Sequence, residues 1–295
     1  MNTPDSTAFR RPMSLVAAAA LVLVPAALPL DPRPAAPSEG IARILVTNDD
    51  GWDADGLAAL VTSLAGMAEV VVCAPLENRS GASHSTEILR GDHGLRRVEV
   101  PGASHAWAVE GTPSDAVTFG LACFAGERGF DLVVSGVNAG ANVGEISHYS
   151  GTVGAAMEAA GQGYTAIAVS QEAPTDFEAA ARFTARLARR VLARRAPEGV
   201  VYSVNVPRHR GEGPQPVVVA PMGGRYVRVE SVQRFEDESG ELRFRTELAF
   251  DREAPEGSDT AAYFSGAITV TPLRFDWTDR AALERVGGWE LGEGG

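Results

Sequence analysis

Two adjacent acids, Asp49 and Asp50, stand at the abrupt end of an apolar run in Ile44-Leu-Val-Thr-Asn-Asp-Asp-Gly51. Paired carboxylates with no cationic neighbour in sequence suit a hard metal ion. Asn-Asp-Asp-Gly is also good turn chemistry, so this stretch alone fits a solvated turn equally well. Two further polar loops carry oxygen donors: Leu76 to Thr86, with Ser80, and Gly136 to Gly144, with Asn138 and Asn142. Asp49, Asp50, Ser80 and Asn138 together would suit one Mg²⁺ or Mn²⁺ per subunit. A metal with few protein ligands keeps waters, and one of these could attack phosphorus. No loop supplies a His/Cys cluster, which disfavours zinc in a soft site.

A helix starting near Ser150 would offer free N–H groups to an anion, with Ser150 and Thr152 adding hydroxyls. Asn48, Asn142, Ser150, Gly151 and Thr152 are therefore the phosphate- and substrate-side candidates, and Asp49 and Asp50 the catalytic ones. His84 and His148 lie in or near these loops. Each could donate to phosphate or assist proton transfer, and each is equally readable as a loop histidine. The chain has no G-x-x-x-x-G-K-S/T loop, no G-x-G-x-x-G and no G-x-S-x-G nucleophile elbow.

The elements that must position these residues alternate. Strands are expected at Ile41 to Thr47, Glu69 to Cys73, Val98 to Val100, His105 to Val109, Asp131 to Ser135, Thr165 to Val169 and Val200 to Val206. Between them, helices are expected at Asp55 to Leu64, from a Thr112 cap to about Ala125, at Ser150 to Ala160, and at Thr175 to Arg195. Asp115 suits a capping box with Thr112 only loosely, because Glu is the usual partner. Runs such as Ile44 to Val46 are apolar on both faces, as central parallel strands are. The order predicts a Rossmann-like α/β/α sandwich around a mainly parallel sheet, with all three polar loops at one edge.

Beyond Pro207 the pattern changes. Val217 to Ala220, Tyr226 to Gln233, Leu242 to Phe250 and Ala267 to Thr271 read as strands, with no clear helix before Asp279 to Val286. This predicts an antiparallel β extension over 208–275, fused to the main domain and available to pack on a partner subunit.

The 295 residues carry a formal charge of -12, which argues against a protein that coats a nucleic-acid polymer. Cys73 and Cys123 each fall in an expected buried element, and no disulfide framework is expected. Residues 1–40 read apart from the fold. Arg10 and Arg11 precede an apolar run from Ser14 to Leu30, interrupted by Pro25 and Pro29, and a Pro/Ala/Ser-rich stretch follows. This order resembles a secretory signal with a tether and predicts an exported, periplasmic protein without a stable membrane span. The alternative is a disordered Ala/Pro extension on a cytoplasmic protein. Residues 41–295 then form a single domain.

Several stretches, in order, resemble the SurE family of survival-protein nucleotidases. They are Ile44 to Gly51, Ala74-Pro-Leu-Glu-Asn-Arg-Ser-Gly81, Gly111-Thr-Pro-Ser-Asp115, Val134 to Asn142, Tyr149-Ser-Gly-Thr-Val-Gly-Ala-Ala156, Asn205-Val-Pro207, Ser258-Asp-Thr260 and Gly266 to Leu273. The resemblance implies a metal-dependent phosphatase of nucleoside 5′- and 3′-monophosphates, with short polyphosphate as a further substrate of some members. It implies metal ligands at Asp49, Asp50, Ser80 and Asn138, a phosphate site at Ser150, Gly151 and Thr152, and a homodimer or homotetramer. His84 stands where Asn is common in the family, a change that bears on the leaving group. A broad acid phosphatase on the same scaffold and a non-catalytic nucleotide-binding protein are the alternatives.

Overall fold

The computed structural model describes residues 40–173, 176–194, 197–250 and 254–289. The expected leader and tether, residues 1–40, lie outside the described residues except for Gly40. In chain order the elements are β1 (Ala42–Thr47), α1 (Asp55–Ala65), β2 (Ala68–Pro75), β3 (Leu95–Val98), β4 (His105–Val109), α2 (Pro113–Phe124), β5 (Leu132–Ala139), α3 (Gly151–Gly161), β6 (Ala166–Gln171), α4 (Glu178–Arg194), β7 (Val200–Val206), β8 (Val217–Val219), β9 (Val227–Glu236), β10 (Leu242–Phe250), α5 (Asp259–Phe264), β11 (Ile268–Arg274) and α6 (Arg280–Gly287).

Among the described residues one sheet holds nine strands, in the order β3-β4-β2-β1-β5-β6-β7-β11-β8. The strands from β4 through β7 run parallel; β3 and β11 are antiparallel to their neighbours β4 and β7. Successive side chains of the central strands point to opposite faces and are apolar on both, as parallel strands covered on two sides require. Ile44 and Val46 pack with Leu57, Leu60 and Leu64 of α1 and with Ala180 and Phe183 of α4. Leu45 packs on the other face with Ala116 and Val117 of α2 and Ala155 and Ala159 of α3. This is the expected three-layer α/β/α sandwich.

The chain leaves β1 toward β2 on one side, while β5 lies on the other. That reversal of strand order opens a crevice beyond the carboxyl ends of β1 and β5, where open α/β sheets place their sites.

Four expectations are corrected. β5 continues through Gly136 to Ala139 instead of breaking at Ser135, with a register shift against β6 between Ser135 and Asn138. The extension contains a short helix, α5, that a six-residue span hides from periodicity. It is not one antiparallel unit: β8 pairs parallel with β11 inside the main sheet, and β9 and β10 form a separate hairpin. Cys73 is buried but Cys123 is exposed, and both are free. Smaller shifts move the strand near Val98 to Leu95–Val98 and begin α4 at Glu178, Thr175 and Arg195 lying outside the described residues. No helix among the described residues is long and apolar enough to cross a membrane.

α1 starts so close to the end of β5 that a Cβ on Gly56 would lie 2.0 Å from the Val137 carbonyl oxygen. Replacing Gly56 by Ala must push helix and strand apart, at a cost of about 1–3 kcal/mol for overpacking. A urea titration should show a lower midpoint with an unchanged slope; an unmoved midpoint would contradict this packing.

Candidate active site

The two acids end β1. Asn48 closes the turn that follows: its Nδ2 donates to the Gly51 carbonyl at 2.8 Å, and Gly51 N donates back to its Oδ1 at 3.2 Å. Gly51 takes a positive φ of 111°, which favours glycine. Asn48 is fully buried and its amide is engaged within this turn, a different task from the substrate contact expected of it.

Asp49 is 3 % exposed. Thr152 donates to its Oδ1 through the hydroxyl at 2.5 Å and also through its backbone N–H. The start of α3 lies directly on this carboxylate; a Cβ on Gly151 would come within 2.7 Å of the Asp49 Cβ. Burial pushes the Asp49 carboxyl up to about 6, Thr152 opposes that shift, and the neighbouring charge of Asp50 adds to it. Asp50 is also raised by burial, partly offset by the Ala139 backbone N–H, the Ser80 hydroxyl and the Asn78 amide. Asp50 thus ties together the end of β1, the loop after β2 and the end of β5. Ser80 therefore stands beside Asp50. Asn138 stands next to Ala139; its Nδ2 donates to Gly140 O at 2.8 Å, which turns the amide oxygen the other way.

The structure brings the remaining candidates to the same edge in different roles. Ser150 caps α3, accepting from Val153 N at 3.1 Å, and its own hydroxyl proton is left for another acceptor. Gly151 N–H is the first amide of the helix and has no intrahelical acceptor. Thr152, expected to face phosphate, is engaged with Asp49. Asn142 is buried: its N donates to Asn205 Oδ1 at 2.6 Å and its Nδ2 to Ser170 Oγ at 2.8 Å, which fixes the glycine loop onto β6 and β7. His84 Nε2 lies 2.8 Å from Glu158 Oε2. His148 is exposed, with its ring edge-on to Trp277.

Several residues take supporting roles that the sequence reading did not assign, and the capping box read only loosely at Thr112 and Asp115 is complete. Asp115 forms a complete capping box with Thr112 and also accepts from Thr86 Oγ1 at 2.5 Å and Glu87 N at 3.0 Å. Burial would raise this carboxyl, but these donors outweigh it and hold it below its ordinary value. Asp259 does the same for the other loops, accepting from Gly144 N at 3.0 Å and Gly223 N at 2.9 Å. Glu158 receives His84, Gln162 Nε2 at 2.8 Å and Thr118 Oγ1 at 3.2 Å. The signal for Asp115 and Asp259 was present, since both stand in short motifs behind a capping hydroxyl. Glu158 gave none, because its partner His84 is far away in the chain.

Asp49 is buried and the adjacent Asp50 half-buried, so two like charges stand side by side with reduced access to water. Among the described residues neither Asp49 nor Asp50 has an ion pair with a basic side chain. No three His, Cys, Asp or Glu side chains cluster as a metal site among the described residues; a cation beside the two acids would take hydroxyl and amide oxygens as its further donors. Such a set fits a hard divalent cation better than zinc.

The folded value of Asp49 lies above its ordinary value of 3.8, so its protonation favours the folded state. That contribution is whole below about pH 4 and is lost as pH rises through about 6. In metal-free protein, Asp49→Asn should therefore raise thermal stability at pH 7 to 8 by up to about 3 kcal/mol, with the advantage gone near pH 4. Thermal melts at the two pH values test this, and an equal difference at both would contradict it.

The family profile described as survival protein SurE matches residues 44–229. A relative named 5′-nucleotidase SurE from Citrifermentans bemidjiense is 38% identical over 254 residues, covering 84% of this chain and 99% of the relative. Another of that name from Alkalilimnicola ehrlichii is 39% identical over 258 residues, covering 85% and 96%. The crystal structure of the SurE protein from Aquifex aeolicus superimposes with a TM-score of 0.72 at 32% identity, covering 83% of this chain and 98% of that one. With its acid pair, glycine loops and capped α3 on the same sandwich, this chain belongs to the SurE family.

Proposed function

We propose that the chain is a divalent-metal-dependent phosphomonoesterase that hydrolyses nucleoside 5′- and 3′-monophosphates to nucleoside and phosphate. The observation that carries this reading is the Asp49–Asp50 pair, Asp49 buried and Asp50 half-buried, without a basic partner among the described residues, placed at the strand-order reversal beneath the start of α3. The name 5′-nucleotidase, borne by relatives that align along nearly their whole length, supports the nucleotide as substrate.

In this reading Asp49, Asp50, Ser80 and Asn138 hold one Mg²⁺ or Mn²⁺. Bound there, the cation would offset phosphate charge and make nearby water more acidic. The protein's own groups do the rest. Gly151 N–H and the Ser150 hydroxyl receive a phosphate oxygen at the positive end of α3. Thr152 keeps the Asp49 carboxylate aimed. Asn48 and Asn142 act by shaping their loops. When the phosphorus–oxygen bond to the nucleoside breaks, the leaving oxygen needs a proton. His84, oriented by Glu158, is better placed to give it than the exposed His148.

We further infer that the chain acts as a homodimer or homotetramer and takes short polyphosphate as a secondary substrate. The β9–β10 hairpin carries exposed Val229, Val232, Phe244 and Leu248, which supports pairing with another copy. The leader supports export and a phosphate-scavenging role; full-length protein found unprocessed in cytosol would overturn that part.

Protein stripped of metal should release little phosphate from nucleoside monophosphates, and added Mg²⁺ or Mn²⁺ should restore release. Asp49→Asn should lose activity about a hundredfold or more while keeping its circular dichroism. Wild-type turnover in that variant, or in the stripped enzyme, would overturn the metal assignment.

A further inference from the structure

A cavity of about 160 Å³ opens beside the start of α3. Ser150 lines it, one residue before the glycine that lies against Asp49. Much of its lining is apolar: Val153, Met157, Met222 and Leu273. Trp277 also lines it and is 74% exposed although it is the largest side-chain type. The cavity therefore reaches the start of α3 at Ser150, next to the glycine that packs on Asp49, and has apolar and aromatic side chains elsewhere in its lining.

The segment after β11 makes this shape. Phe275 crosses α3 at Gly161, where a Cβ would come within 3.0 Å of its ring, and meets the His84 ring edge-on with centroids 5.7 Å apart. Trp277 meets the His148 ring at 6.0 Å, nearly perpendicular. His84 Nε2 lies 2.8 Å from Glu158 Oε2, which fixes the ring where it lines the cavity. The floor is fixed as well: a Cβ on Gly154 would lie 2.3 Å from the Ser83 carbonyl oxygen, so helix and loop are in contact there. No carboxylate is among the described lining residues, whereas Arg274, His84 and His148 are. The chemistry suits a planar aromatic group attached to an anion. Aromatic rings stack on Trp and make favourable contacts with methionine sulfur.

We propose that this cavity receives the nucleobase of the substrate, with Trp277 as its stacking platform and Met222 closing the opposite wall. This rests on the nucleotidase reading and adds which surface selects nucleotides over small phosphate esters. The phosphate remains at Ser150 and Gly151, and the leaving nucleoside extends past His84 into the cavity.

The test compares kcat/KM for adenosine 5′-monophosphate with that for methyl phosphate, in the presence of Mn²⁺. Wild type, Trp277→Ala and Met222→Trp are measured. Trp277 is largely exposed, so its truncation leaves the core intact; Met222→Trp fills the cavity instead of emptying it. Each variant should lower the ratio of the two kcat/KM values by about tenfold, mostly through a higher KM for the nucleotide, as expected when base stacking is lost. An unchanged ratio in both variants overturns the cavity as base site while leaving the nucleotidase reading standing. Phosphate release from neither ester by wild type overturns that reading and the inference built on it.

Discussion

The contact between α3 and Asp49 is the constraint on which the rest of the site depends. A buried carboxylate beside a second one is unfavourable, and the protein holds the pair in place from three directions. Thr152 donates twice to Asp49, Gly151 has no Cβ to block the approach, and Ser80, Asn78 and Ala139 converge on Asp50. Two things follow. Both carboxylates are held by protein donors, and the first residue of α3 packs against Asp49. Phosphate chemistry needs both: a place for positive charge and a place for the anion, a few ångströms apart.

Holding that contact requires the surrounding loops to be rigid, although they are rich in glycine. The fold does this with buried carboxylates that serve as acceptors for loop amides. Asp115 binds the segment at Thr86 and Glu87 from the cap of α2, and Asp259 binds Gly144 and Gly223 from the cap of α5. Backbone N–H groups in such loops would otherwise be buried without partners. The β extension is thereby tied to the site: α5 lies far along the chain, yet it fixes the loop between β5 and α3. Glu158 has the same relation to His84, holding a histidine at the wall of the cavity that leads away from the acids.

Much of this architecture is legible in the residues because its signals are local. Ile44 to Val46 and Leu132 to Val134 are apolar on both faces and could only be interior strands. Thr112-Pro113 and Ser150-Gly151 announce helix starts through capping hydroxyls. The acid pair is visible because its residues are adjacent. What was hidden depends on distant parts of the chain. β5 runs on through Gly136 because it pairs with β6, although Gly136-Val-Asn-Ala reads as loop. A Cβ at Gly136 would meet the Val169 carbonyl oxygen at 2.3 Å, so the glycine marks close strand packing. The parallel partnership of β8 with β11 spans the whole hairpin, and α5 is too short to display a helical period. Among the site residues, types were readable but directions were not. Asn48, Asn142 and Thr152 all belong to the site region, yet their polar atoms turn toward protein groups, which only the packed structure specifies.

The central claim is that one cation joins Asp49, Asp50, Ser80 and Asn138. The most direct measurement is anomalous diffraction from crystals equilibrated with Mn²⁺. The account predicts one strong anomalous peak per chain, within coordination distance of oxygens from all four residues, at about 2.0–2.3 Å. A map with no peak beside the acid pair, or with the ion held elsewhere in the chain, would contradict it.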